Sequence, residues 1–246
     1  MIPDTSCRYQ YRLVQKGSLP LAPDHSRQRT VVHKCTSVLL WPAHEAPASV
    51  NTVLTDPCFP SGISRNVQRT LDKLSLTFQD IGYLFITHRH GDHLPHPALS
   101  TTPLLVQTDA HAPSSLSGLT TVPCPGHAPE LHALVFRSAT HQTVWIVGDA
   151  ILNLTWLKAW EYYWPNIYTP SEIVQTWESV ATIVCQADII IPGHGSPFAV
   201  TIPLLKTLIA RFPSAVHAER CPDVESRLQT RLAQLQAAYP ETKAEP

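Results

Sequence analysis

The sequence predicts a layered α/β fold with helices on the outside. Three observations predict it. Short apolar runs of strand length are interspersed with segments whose apolar residues keep helical spacing, in the order strands, helix, strands, helix, strand, helix. Several strands end in a glycine-bearing turn followed by a histidine or an aspartate, the place where α/β folds build their sites. No repeat of fixed period and no long linker interrupts the pattern, so one domain is expected over residues 1–246.

Residues 8–14 and 30–41 read as the first two strands, with a loop from Pro20 to Gln28 between them. Thr52 to Pro57 is a strand stopped by proline. Ser64 caps a helix whose apolar positions Val67, Leu71 and Leu74 share a face. Tyr83-Leu84-Phe85-Ile86 is a buried strand. Leu104-Leu105-Val106 is an apolar patch between proline- and threonine-rich segments. Leu131 to Phe136 and Thr143 to Gly148 read as an antiparallel pair joined by a polar turn. Thr169-Pro170-Ser171-Glu172 is a capping box with proline at the first helical position. The helix behind it aligns Ile173, Trp177, Val180, Ala181 and Val184. Asp188 to Ile191 is a further buried strand. Helices near 201–212 and 223–239 close the fold, the last aligning Val224, Leu228, Leu232, Leu235 and Tyr239. Residues 241–246 are expected to fray.

A chain of 246 residues buries enough surface, roughly 70–75% of what it exposes unfolded, to need no disulfide staple. Its 18 basic and 19 acidic residues leave a net charge of −1, which argues against long nucleic acids and an anionic membrane as partners. Six cysteines with no C-x-x-C pair read as reduced thiols. With no leader-like N-terminus and no apolar run of spanning length, the expected location is the cytoplasm. Histidine is the outlier, at 13 residues.

The densest chemistry is Thr87-His88-Arg89-His90-Gly91-Asp92-His93. In an extended chain, residues two apart point the same way, so His88 and His90 can grip one ion. Gly91 then turns the chain and redirects Asp92 and His93 toward a second. Three later turns follow a similar grammar: Cys124-Pro125-Gly126-His127, Val147-Gly148-Asp149 and Ile191-Pro192-Gly193-His194-Gly195. The remaining histidines, His33 among them, read as surface or loop residues, with His96 near enough to be considered for a pocket. The aromatic stretch Trp156 to Trp164 reads equally as a pocket lining or a packed elbow. Cys58, with nothing basic beside it, reads as an inert thiol.

This ordered set, with Asp56 ahead of it, resembles the metallo-β-lactamase superfamily. The resemblance implies an αβ/βα sandwich of four layers, two mixed sheets with outer helices. It implies that His88, His90 and His127 hold one divalent metal ion. Asp92, His93 and His194 would hold a second, with Asp149 bridging and Asp56 hydrogen-bonding within the site. The implied activity is hydrolysis of an ester, thioester, lactone or phosphodiester in a small-molecule substrate, by a hydroxide bridging the two ions, with Asp92 catalytic. Zinc suits the donor set, and iron or manganese are the alternatives. An iron-dependent redox or oxygen-handling protein of the same fold is the alternative function. Flavodiiron members carry a glutamate where His90 stands, which favours zinc and hydrolysis. A narrower likeness within the superfamily rests on Ala187 to Phe198. The oligomeric state and the substrate are not legible in the chain.

Overall fold

In the computed structural model, residues 7–59, 64–95, 116–161 and 167–239 are described, with the backbone of 105–106. His96, His111, Tyr162-Tyr163-Trp164 and the 241–246 tail lie outside the described residues.

Among the described residues, ten strands form two five-stranded mixed sheets. The first runs in the order β1 (Tyr9–Gln15), β2 (Ser37–Pro42), β3 (Val53–Thr55), β4 (Tyr83–Phe85) and β5 (Leu105–Val106). The second comprises β6 (Thr120–Pro123), β7 (His132–Arg137), β8 (Thr143–Ile146), β9 (Ile189–Ile191) and β10 (Phe198–Ala199), ordered β10-β9-β8-β7-β6. In the first sheet β3, β4 and β5 are parallel, and in the second only β8 and β9 are. The expected pair from Leu131 and Thr143 is the antiparallel β7–β8 ladder.

Side-chain alternation assigns the layers. Val38, Leu40, Val53 and Phe85 meet Leu134, Phe136, Val144 and Ile146 between the sheets. Their neighbours Leu39, Leu54 and Leu84 face the opposite way and pack on Val67 and Leu71 of α1 (Arg65–Asp72). The second sheet is covered on its outer side by α3 (Pro170–Gln186), α4 (Ile202–Arg211) and α5 (Pro222–Ala238), through residues such as Trp177, Leu205 and Val224. A short helix, α2 (Leu154–Ala159), precedes them. The four-layer sandwich is therefore the architecture. Strands buried on both faces read as unbroken apolar runs, which is why β2 is buried throughout.

Local signals held at several helix starts. Ser64 accepts from the Val67 N–H, and Thr169 with Glu172 closes the capping box. All five expected residues of α3 are buried. Two expectations are corrected. The 30–41 strand is only Ser37–Pro42, because residues 28–36 leave the sheet as a loop tied to the second sheet. Tyr239 does not share the buried face of α5; it is 72% exposed at the helix end, where none of the other described residues covers it.

The parallel pairs position the site. Thr55 of β3 lies beside Phe85 of β4, so Asp56 and Thr87 emerge together. Ile146 of β8 lies beside Ile191 of β9, so Asp149 and His194 do the same. The two ends meet where the His132 N–H donates to the Thr87 carbonyl across the sandwich, at 3.0 Å.

Candidate metal centre

The seven residues singled out as ligands converge at this end of the sandwich, with Asp56 beneath them. Three groups place one ligand atom each within 4.8 Å of the others: His88, His90 and His127; His88, His93 and Asp149, which share His88; and His33, Asp92 and His194. Asp149 sits centrally. Its Oδ1 is 3.2 Å from His93 Nε2 and 3.1 Å from His194 Nε2, and its Oδ2 is 3.4 Å from His127 Nε2.

Each imidazole is oriented by what holds its other face. His93 Nδ1 is 3.0 Å from Asp56 Oδ2, and His194 Nδ1 is 2.7 Å from the Lys34 carbonyl. His127 Nδ1 faces the Tyr168 hydroxyl at 3.2 Å, and His88 Nδ1 faces Thr87 Oγ1 at 3.2 Å. Nε2 of all four is thereby turned away from these partners. His90 instead presents Nδ1, 3.0 Å from His127 Nε2. Pinning one ring nitrogen to fix the other is how metal-ligating histidines are oriented.

Asp56 is itself held in place. It is buried, and its carboxylate accepts from the Thr87 N–H and Oγ1–H, both at 2.8 Å. Its φ of +41° is a left-handed conformation that aspartate tolerates better than most residues. Gly148 and Gly193 are required by crowding. A Cβ on Gly148, at φ +48°, would strike Thr87 Oγ1, and one on Gly193 would strike Asp149 Oδ1. Gly91 is different from its expected role. The turn closes with the His93 N–H donating to the His90 carbonyl at 2.9 Å, but Gly91 is not at positive φ. A Cβ there would meet nothing within 4 Å, because the residue stands over open space.

Burial and charge shape the protonation of the cluster. Burial pushes His88 down to about 2 and His127 down to about 4, so both imidazoles stay neutral. Burial acts the same way on His93, but the carboxylates of Asp149 and Asp56 outweigh it and hold His93 well above its ordinary value. His194 is raised too, with burial overcome by Asp149. Burial of Asp149 is outweighed by His194 and His93, which keep its carboxyl well below the usual carboxylate range. In Asp92, burial is outweighed by the His33 hydrogen bond and by His93, and the carboxyl is lowered.

The donor set fits divalent metal ions. His88 Nε2, His93 Nε2 and Asp149 Oδ1 are buried without a well-formed hydrogen bond, the last two facing each other only as a close ion pair at 3.2 Å; a buried polar group left unsatisfied ordinarily costs about 1–3 kcal/mol. Three orphaned lone-pair donors in one cluster are what a cation would satisfy.

Three contributors escaped the sequence reading. Thr87 and Tyr168 orient ligands, and His33 sits 3.0 Å from Asp92 Oδ2. Thr87 opened the histidine motif, but His33 and Tyr168 carry no spacing signal. The aromatic stretch, as far as it is described, serves both readings. Trp160 packs edge-on to Trp177 and Phe212 and donates to the Leu208 carbonyl, which makes an elbow. Trp156, Leu157 and Trp160 also wall a cleft of about 30 Å³ that reaches His127 and Asp149. The six cysteines are free. Burial raises the Cys58 thiol, in keeping with an inert role.

Comparison with known proteins bears on the fold and the family. No family model matches the chain. A protein of Xenopus laevis named metallo-β-lactamase domain-containing protein 1 is 30% identical over 166 residues, spanning 61% of this chain and 68% of that protein. Its Rattus norvegicus namesake is 28% identical over 145 residues, and this chain spans 55% of its length. Among solved structures, a metallo-β-lactamase family protein from Thermus thermophilus superposes with a TM-score of 0.50 at 17% identity, over 92% of this chain and 79% of its own. A quorum-quenching N-acyl homoserine lactone hydrolase gives 0.50 at 12%, over 76% and 92%.

Fold and relatives together define a protein of the metallo-β-lactamase superfamily, with histidine and aspartate groups that could hold metal. Within it, the chain belongs to the family of metallo-β-lactamase domain-containing protein 1. Among the described residues, no helix is long and apolar enough to cross a membrane.

Proposed function

We propose that this chain is a dinuclear metal-dependent hydrolase acting on an ester, thioester, lactone or phosphodiester of a small molecule. The observation that carries this reading is the three ligand groups gathered around a central Asp149, two of them sharing His88 and the third reaching Asp149 through His194. His88, His90 and His127 would hold one ion, and Asp92, His93 and His194 the other, with Asp149 between them. The pair of ions would supply Lewis acidity and a water activated near neutral pH.

The chain's own residues do the rest. Asp56 and Thr87 fix the His93 ring, and Tyr168 and Lys34 fix His127 and His194. Asp92, whose side chain is 33% exposed, opens toward solvent more than Asp149 at 6%. That exposure supports Asp92 as the carboxylate that would hold the attacking water and take its proton. Zinc suits a site of imidazoles and carboxylates.

Elemental analysis of purified protein, joined to a panel of thioesters, lactones and phosphodiesters, tests this. Two equivalents of zinc and turnover lost on chelation are expected. Stoichiometric iron with oxygen consumption would replace hydrolysis with redox chemistry. Absence of bound or bindable metal would end the proposal.

A further inference from the structure

The metal half-site of Asp92 and His194 has a neighbour that the superfamily ligand motif does not contain. His33 lies in the loop between β1 and β2, far ahead of Asp92 in the chain. Its Nε2 is 3.0 Å from Asp92 Oδ2. That same oxygen is 3.5 Å from His194 Nε2 and 3.9 Å from His93 Nε2. Ligand atoms about 2.0–2.1 Å from a tetrahedral ion stand about 3.3 Å apart, so these separations suit donors around one centre. His33, Asp92 and His194 together satisfy the spacing of a metal-holding group.

The loop is fastened in a way that places the ring. The Lys34 carbonyl accepts from His194 Nδ1 at 2.7 Å. The Thr36 N–H donates to the Gly193 carbonyl at 2.6 Å, and Thr36 Oγ1 donates to the Gly195 carbonyl at 3.1 Å. Ser18 and Lys34 also pair through their backbones at 2.8 and 3.0 Å. His33 is thus clamped to the turn that bears His194, and its ring stands 4.8 Å from the His194 ring. Its side chain is 40% exposed, whereas those of His93 and His194 are at 0% and 1%.

We infer that His33 is an additional ligand of the ion held by Asp92, His93 and His194, entering from the solvent side through Nε2. The inference rests on the dinuclear reading above. His33, with Asp92, forms the exposed side of that ion's shell, and as a neutral imidazole it is the ligand there that an arriving substrate group can displace without opening the core. The other ion, at His88, His90 and His127, does not use it.

Metal-free protein is titrated with zinc against a chromophoric chelator and with cobalt while the visible bands are recorded. His33→Ala is compared with the parent, and with His44→Ala as a control for losing a surface histidine elsewhere. The expected result is that one of two affinities falls about 10- to 100-fold in His33→Ala, while the other holds. The cobalt spectrum of the weakened site also shifts, and the metal-free melting temperature stays put. His44→Ala should match the parent. If the parent takes up both ions and His33→Ala binds them with unchanged affinity and spectrum, His33 is not a ligand, though the centre stands. If the parent binds neither ion, the dinuclear reading falls and this inference with it.

Discussion

Asp56→Ala probes the base of the centre most directly. The carboxylate is 1% exposed and receives three contacts: the Thr87 N–H and Oγ1–H at 2.8 Å each, and His93 Nδ1 at 3.0 Å. Alanine removes the two oxygens that accept all three. One buried donor left unsatisfied costs about 1–3 kcal/mol, and breaking a buried charged pair costs about 3–5 kcal/mol. Because the three contacts share one carboxylate, these figures overlap, and the whole loss is expected near 3–5 kcal/mol. In a chain of this size each kcal/mol lowers the melting temperature by about 2–4 °C, so the drop should be about 6–20 °C. Thermal melts of metal-free protein read this without reference to catalysis. Asp56→Asn tolerates the positive φ and keeps one acceptor, and should lose about 1–3 kcal/mol. Zinc affinity in Asp56→Ala should fall about 10- to 100-fold, since His93 loses its orienting partner. An Asp56→Ala protein melting within about 2 °C of the parent, with zinc affinity intact, would refute the claim that this network organises the site.

Asp92→Ala should cut turnover about 10²- to 10⁴-fold on any substrate found, with little change in circular dichroism, because its side chain is partly exposed and outside the apolar core. His90→Ala should deplete bound metal, read by elemental analysis, while the sheets remain. Gly193→Ala should destabilise by about 1–3 kcal/mol and loosen metal binding, because the new methyl displaces Asp149 Oδ1; equal melts in parent and variant would contradict the packing. Zinc binding to metal-free protein near pH 7 should release protons. His93 and His194 are raised above their ordinary value and must deprotonate to ligate, so calorimetric heats should vary with the buffer's ionisation enthalpy. By the same linkage, the stability that metal-free protein draws from charged His93 is complete below about pH 6.5 and is lost as pH rises through the raised value. The contribution of Asp149 runs oppositely: it is present above about pH 4 and lost as acid protonates the lowered carboxyl. Denaturant melts across pH read both arms.

The chain by itself determined which residues stand as candidate ligands and which segments pack. His88, His90, Asp92 and His93 were legible because local spacing sets which way neighbouring side chains point. His127, Asp149 and His194 were legible because each closes a turn carrying glycine or proline. The strands and helices were legible from apolar periodicity and caps, since those signals act within a few residues. Tertiary structure alone decided how these pieces meet. The pairing of β3 with β4 and of β8 with β9 brought Asp56 under Thr87 and His194 beside Asp149. Bonds from Lys34 and Thr36 to residues about 160 positions away drew an expected strand off its sheet and set His33 against Asp92. Such contacts leave no local trace, because their free energy depends on distance in space between groups that the chain separates. The same limit explains Gly91 and Tyr239: whether a residue faces open solvent is a property of what the rest of the chain packs around it.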